Sequence, residues 1–214
     1  MQQIKNSLPS LTSIEKSLLI RIFCNDVSKK TNSLRNLKDI SYFAILPSVS
    51  NLLNKKYISK RNGIFYLTKL GRTKFKVVLS GGVFDIIHPG HIHTLENSKK
   101  LGDVLIVSVA RDQTAKKLKN RLPLNKETTR RKLVSSLKFV DSAILGSKID
   151  IFDTVLKIKP DIIALGYDQV HNASFLRKRA KTRGIKVKIK RLDSPMPKMK
   201  SSYIINDKKV FEQI

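Results

Sequence analysis

From Phe75 onward the chain alternates short, almost wholly apolar strand segments with helical stretches, and this alternation limits the fold more than any other feature. Phe75 to Ser80 reads as a strand, followed by a Gly-Gly turn, a helix from Pro89 to Leu101 and the strand Val104 to Val109. Glu127 to Lys138 is helical, Val140 to Leu145 a strand, Ile151 to Ile158 a helix, Asp161 to Leu165 a strand, Ala173 to Thr182 a helix and Val187 to Arg191 a strand. Strands that are apolar on both sides must be covered on both sides. Five β/α alternations of this kind therefore predict an α/β fold, a parallel sheet with helices on both faces. Such sheets bind ligands beyond the carboxyl ends of their strands, so the chemistry is expected in the loops that follow them.

Before residue 75 the periodicity is different, which divides the chain into 1–74 and 75–214. Thr12 or Ser13 caps a run with apolar residues at Ile14, Leu18, Leu19, Ile22 and Phe23, which predicts a first helix. Ser33 starts a second near Leu34, Leu37 and Ile40, and a third covers about Pro47 to Asn54. Tyr57 to Lys60, Arg61-Asn62-Gly63 and Ile64 to Leu67 read as strand, turn and strand, with Thr68 capping a short closing helix. Three helices and a two-stranded wing, ending in Tyr66-Leu67-Thr68-Lys69-Leu70-Gly71-Arg72, resemble a winged helix-turn-helix domain over roughly residues 8 to 74. The resemblance implies a third helix facing a DNA major groove, with Lys55, Lys56, Lys60 and Arg61 meeting phosphates. The same charges also fit a solvated face on a domain that only packs or dimerises.

Charge narrows the partners. The 214 residues contain 43 Lys and Arg against 16 Asp and Glu, a formal net charge of +27. The 41% hydrophobic content is far too high for a disordered basic tail. The balance favours nucleic acid, nucleotides or other phosphates, although a lysine-rich proteome or growth at high temperature would produce it too. No apolar run approaches the roughly 20 residues of a spanning helix, and Met1 to Ser10 lacks an apolar signal core, so a cytoplasmic chain with no membrane partner is expected. The single cysteine, Cys24, has no internal partner.

Three of the four histidines, His88, His91 and His93, follow the first strand of the predicted sheet. Gly81 and Gly82 let the backbone approach a ligand, Pro89 suits a helix's first turn, and the amides at a helix start attract anions. His88 and His91, three apart across that start, are placed to point at one phosphate and stabilise charge developing on it. Zinc would need a third close ligand, which does not follow. His93 and His171 read as structural or solvated. No G-x-x-x-x-G-K-[ST] occurs, so a P-loop mechanism is excluded.

The run Gly82-Val83-Phe84-Asp85-Ile86-Ile87-His88-Pro89-Gly90-His91 matches the G(T/V)FDxxHxGH signature of the cytidylyltransferase-like nucleotidylyltransferases. Arg130-Arg131-Lys132, Lys138-Phe139-Val140-Asp141, Leu165-Gly166-Tyr167-Asp168-Gln169 and Lys200-Ser201-Ser202-Tyr203-Ile204-Ile205 are similar to further segments of that family, the last with Lys and Tyr where the family has Ile and Thr. The resemblance implies a Rossmann-like sheet and attack of an acceptor phosphate on the α-phosphorus of a nucleoside triphosphate, without a covalent enzyme intermediate. It implies that His88 and His91 hold the transition-state charge and that Lys117 or Lys119, in the loop after the second strand, adds a cation. Gly82, Val83, Phe84, Asp85, Gly90, Gly166 and Asp168 would contact the nucleotide, Asp85 organising its loop. Arg130, Ser201 and Ser202 would grip the β- and γ-phosphates, and Mg²⁺ would screen the charge.

Each of these residues also has a plainer reading. Asp85 is a turn former, Lys116 to Lys119 a solvated face, Arg130 half of a surface ion pair and Asp168 a helix cap. Ala110 to Lys119, with the Gly166 loop, looks most like the archaeal-type FAD synthases, which implies ATP and FMN as substrates. A CTP-dependent glycerol-3-phosphate or other polyol-phosphate cytidylyltransferase is the alternative. A DNA-binding regulator with a nucleotide- or flavin-sensing domain is the reading from another class. Relatives of this family are frequently homodimers.

Overall fold

In the computed structural model the described residues are 10–30, 32, 42–167 and 173–193, with backbone alone at 42–44. The chain divides into two compact units, Met1–Phe75 and Lys76–Ile214.

In the first unit, α1 (Ser13–Val27) starts at a capping box. The Thr12 hydroxyl accepts from the Glu15 amide at 3.1 Å, and the Glu15 carboxylate accepts from the Thr12 amide at 2.9 Å. Such a cap stabilises a helix by about 1 kcal/mol. Leu18, Leu19, Ile22, Phe23 and Val27 form the buried face. Helix α2 (Tyr42–Asn54) carries Val49 and Leu52 inward. It begins at Tyr42 rather than near Pro47, because the proline sits inside the helix instead of in its first turn. Strands β1 (Ile58–Arg61) and β2 (Ile64–Leu67) pair antiparallel. Asn62 (φ 49°) and Gly63 (φ 75°) make the left-handed turn that matches strand twist. Helix α3 (Lys69–Arg72) is capped by Thr68. The helix expected from Ser33 lies outside the described residues.

The second unit is a five-stranded sheet in the order β5-β4-β3-β6-β7, every neighbouring pair parallel. The strands are β3 (Val77–Gly82), β4 (Val104–Val109), β5 (Ser142–Leu145), β6 (Ile162–Leu165) and β7 (Lys188–Arg191). The helices are α4 (Pro89–Lys99), α5 (Asp112–Lys119), α6 (Glu127–Ser135), α7 (Ile151–Ile158) and α8 (Ala173–Thr182). Val78 registers with Leu105 and Ile162, and one core joins Val78, Leu105 and Val107 to Leu95 of α4 and Val134 of α6. Val77, Leu79 and Ile106, on the opposite face by alternation, are equally buried. The Rossmann-like sheet is thus covered on both faces, as the alternation predicts. One prediction fails here: α5 occupies what reads as a loop after the second strand.

Three aspartates fasten the amino-terminal end of this sheet. Asp103 accepts from the Lys76 amide at 2.7 Å, Asp161 from Val77 at 2.7 Å and Asp141 from Leu105 at 2.6 Å. Each precedes a strand and takes an amide in or just before the neighbouring one, which places carboxylates at the end of the sheet opposite the strand-following loops. Strand order reverses at β3, between β4 and β6, so the crevice expected for a ligand opens beyond their carboxyl ends. No helix among the described residues is long and apolar enough to cross a membrane.

Candidate active site

Strand β3 ends in Gly81-Gly82, and the backbone then reverses through Phe84 at φ 53°. A left-handed conformation is costly for a bulky residue and persists only where its surroundings enforce it. Here the Phe84 ring is buried, and it fills the space where a Cβ on Gly82 would lie, 2.9 Å from its carbons. The reversal brings His88 to the N-cap of α4, with Pro89 at the first helical position, Gly90 next and His91 one turn on.

The two imidazoles stack with centroids 3.9 Å apart and planes at 29°, and Phe84 backs His91 at 5.0 Å. Burial, then the neighbouring His88, push the His91 pKa down to about 3 against the pull of the Ile86 carbonyl, and the Lys119 charge lowers it further. His91 is therefore neutral at pH 7. Its Nδ1 is buried and has no hydrogen-bond partner among the described residues. Such an atom is costly to leave unmatched and suited to a ligand that answers it.

Asp85 holds the loop in place. Its Oδ1 accepts from the Leu124 amide at 2.8 Å and the Asn125 amide at 3.3 Å. Its Oδ2 accepts from Arg121 at 3.0 Å, and the Asn125 side chain donates to its carbonyl at 3.1 Å. Arg130 corrects an expectation. It was assigned a phosphate grip, yet its side chain is 0% exposed. Nε donates to the Asn125 carbonyl at 2.9 Å, Nη1 to the Val83 carbonyl, and Nη2 to the Ala110 carbonyl at 2.8 Å and the Asp112 carboxylate at 2.7 Å. All three nitrogens are engaged inside the protein. A buried guanidinium needs this degree of pairing, and its planar fork can serve several segments at once. Arg130 thus ties the glycine loop after β3, the end of β4 and the approach to α6.

A second set of bonds sets α5 against α6. Glu127 accepts from Arg111 at 2.7 Å and from the Asp112 amide at 2.8 Å, and Asp112 accepts from the Glu127 amide at 3.3 Å. Helix α5 then stops at Asn120, φ 55°. Both Lys117 and Lys119 lie exposed in its last turn, and it is the Lys119 charge that reaches His91. Gly166 is buried at the end of β6, its carbonyl accepting from Arg191 at 2.7 Å. Asp168, Ser201 and Ser202 lie outside the described residues. Among the described residues no group of three His, Cys, Asp or Glu side chains is arranged to hold a metal. The carboxylates near the loop, Asp85, Asp112 and Glu127, are already engaged by amides and arginines, so the described residues offer no cage of their own for Mg²⁺.

Arg121, Asn125, Asp112 and Glu127 were not singled out from the sequence. The Arg-Asp pair directly after β4, at a strand's carboxyl end, was the available signal. In the first unit Lys55 is also corrected: its ammonium lies 3.8 Å from the buried Glu15 and its side chain is only 16% exposed, which points it inward rather than at a phosphate. Lys56, Lys60 and Arg61 are exposed, Lys60 standing over the Phe65 ring.

A family model described as Cytidylyltransferase-like matches residues 79–207. The FAD synthase of Picrophilus torridus is 48% identical over 125 residues, covering 58% of this chain and 89% of its own. The FAD synthase of Thermoplasma volcanium is 47% identical over 137 residues, covering 64% and 95%. Among solved structures, the lipopolysaccharide core biosynthesis protein from Thermoplasma volcanium GSS1 is 49% identical, with a TM-score of 0.55, covering 56% of this chain and 98% of that one.

Proposed function

The chain belongs to the cytidylyltransferase-like family, and from that premise we propose that it transfers AMP from ATP to FMN, yielding FAD and pyrophosphate. The observation that carries the choice of substrates is the identity of 47–48% with FAD synthases along 89–95% of their own lengths.

In this reading an FMN phosphate oxygen attacks the α-phosphorus of ATP, the bond to the bridging oxygen breaks, and pyrophosphate leaves. His88 and His91 donate N–H groups to the α-phosphoryl oxygens. Because His91 is neutral before substrate arrives, its role is a preorganised dipole rather than a fixed charge. Lys119, in place of Lys117, brings the cation. Gly82, Val83, Phe84 and Gly90 let the triphosphate approach the start of α4, while Asp85 and Arg130 hold that surface in shape. By the resemblance, Gly166 and Asp168 would contact the nucleotide, and Ser201 and Ser202 the β- and γ-phosphates. Mg²⁺ bound with ATP would screen the charge of the triphosphate.

A pyrophosphate-release assay crossing ATP and CTP with FMN and glycerol 3-phosphate, with Mg²⁺ present, tests the reading. Turnover with ATP and FMN alone is expected. Turnover with CTP and the polyol phosphate alone would replace it. For the first unit we propose that Lys56, Lys60 and Arg61 contact DNA phosphates, supported by their exposure on and beside the β1–β2 hairpin. Mobility shifts with and without FMN separate sequence-specific, ligand-responsive binding from uniform, salt-sensitive attraction.

A further inference from the structure

We propose that the segment Leu118–Leu124, between the end of α5 and the strut at Asp85, is the docking platform for the flat ring system of the acceptor, and so determines acceptor specificity. The inference rests on the FMN reading above. Leu118, Leu122 and Leu124 are 52%, 54% and 57% exposed, three large apolar side chains within seven residues of a strongly basic chain. Exposed leucines scattered singly are ordinary, but a group of them beside a polar site marks a surface that a ligand covers.

Three observations favour a phosphorylated ring compound as the occupant. The segment is built into the site: its far end is pinned by the Leu124 and Asn125 amides and Arg121, all bonded to Asp85, three residues before His88. Pro123 stands between Leu122 and Leu124 and stiffens their backbone. The order of chemistry along the segment also matches the acceptor. Lys119, whose charge reaches His91, follows Leu118 directly, and Leu124 is held at Asp85 by its own amide, so the segment carrying the leucines is anchored at both ends beside the histidine loop. FMN has that form, a phosphate joined through a ribityl chain to a broad aromatic body. Glycerol 3-phosphate has no body to cover leucines.

The test is steady-state kinetics of the full chain carrying Leu122→Ser with Leu124→Ser, beside Leu156→Ser as a control at an exposed leucine of α7. Leu122 and Leu124 are 54% and 57% exposed and Leu156 49%, so thermal melts should match wild type. The expected result is an increase of about tenfold in KM for FMN, with KM for ATP and kcat changed less than twofold and the control unchanged. FMN fluorescence titration should show the same weakening without turnover. An unchanged FMN affinity in a wild-type background that makes FAD overturns the platform and leaves the activity standing. A wild type inert with ATP and FMN overturns both. A change in sedimentation with FMN affinity intact assigns the leucines to a second copy of the chain and likewise overturns the proposal.

Discussion

The arginines around the strand ends of the α/β unit and the basic residues of the β1–β2 hairpin are held in opposite ways. In the α/β unit, arginines are drawn into the structure: Arg111, Arg121, Arg130 and Arg191 each donate to named carbonyls or carboxylates around the strand ends. In the first unit Lys56, Lys60 and Arg61 remain exposed on or beside a two-stranded hairpin. An arginine fork that closes several backbone carbonyls is part of the scaffold, whereas an exposed lysine is at most a surface contact. A net charge of +27 therefore does not translate into one basic surface, because part of it holds the catalytic loops.

The largest break in this comparison should come at the site itself. His91→Ala is expected to lower turnover by about a thousandfold or more while the melting temperature stays near wild type, read by pyrophosphate release and thermal denaturation. Near-native rates would remove the histidines from the mechanism. Arg130→Met against Arg61→Met sharpens the contrast directly. The first should cost about 3 kcal/mol or more of unfolding free energy in urea, since it abandons three carbonyls and Asp112. The second should stay within about 0.5 kcal/mol.

Acid should act on the α/β unit through His91. Its folded pKa, about 3, lies below the ordinary 6.5 of an unfolded histidine, so only the unfolded chain takes a proton between those values. The stabilisation is complete above pH 6.5 and is lost as pH falls towards 3. Urea titrations at pH 7 and pH 4.5 should show a smaller loss for His91→Phe than for wild type. On the kinetics, Lys119→Ala should reduce kcat/KM for ATP by about tenfold and Lys117→Ala by less than threefold.

The strand-to-helix junction was readable because its demands fall on consecutive residues. Glycines at the close approach, a proline in the first turn and histidines one turn apart are local requirements. Helix α5 was not readable: Ala115 is its one buried residue, so no apolar stripe distinguishes Asp112–Lys119 from a charged loop. The buried state of Arg130 was equally hidden, since its acceptors are backbone carbonyls at Val83, Ala110 and Asn125, which no side-chain pattern announces. Lys55 was misread for a similar reason, as its partner Glu15 is far away in sequence. In α2 the proline lies inside the helix, so the turn before Pro47 belongs to it as well.

The order of strands in the sheet has a consequence for synthesis. Strand β3, the first of the five to leave the ribosome, lies at the centre of the finished sheet, and both its neighbours come later. One edge is closed by β4, but the other waits for β6, and the bond from the Val77 amide to Asp161 spans 84 residues. A nascent chain therefore carries an apolar, unpaired edge through most of the translation of this unit, the period in which it is most open to aggregation and to chaperones.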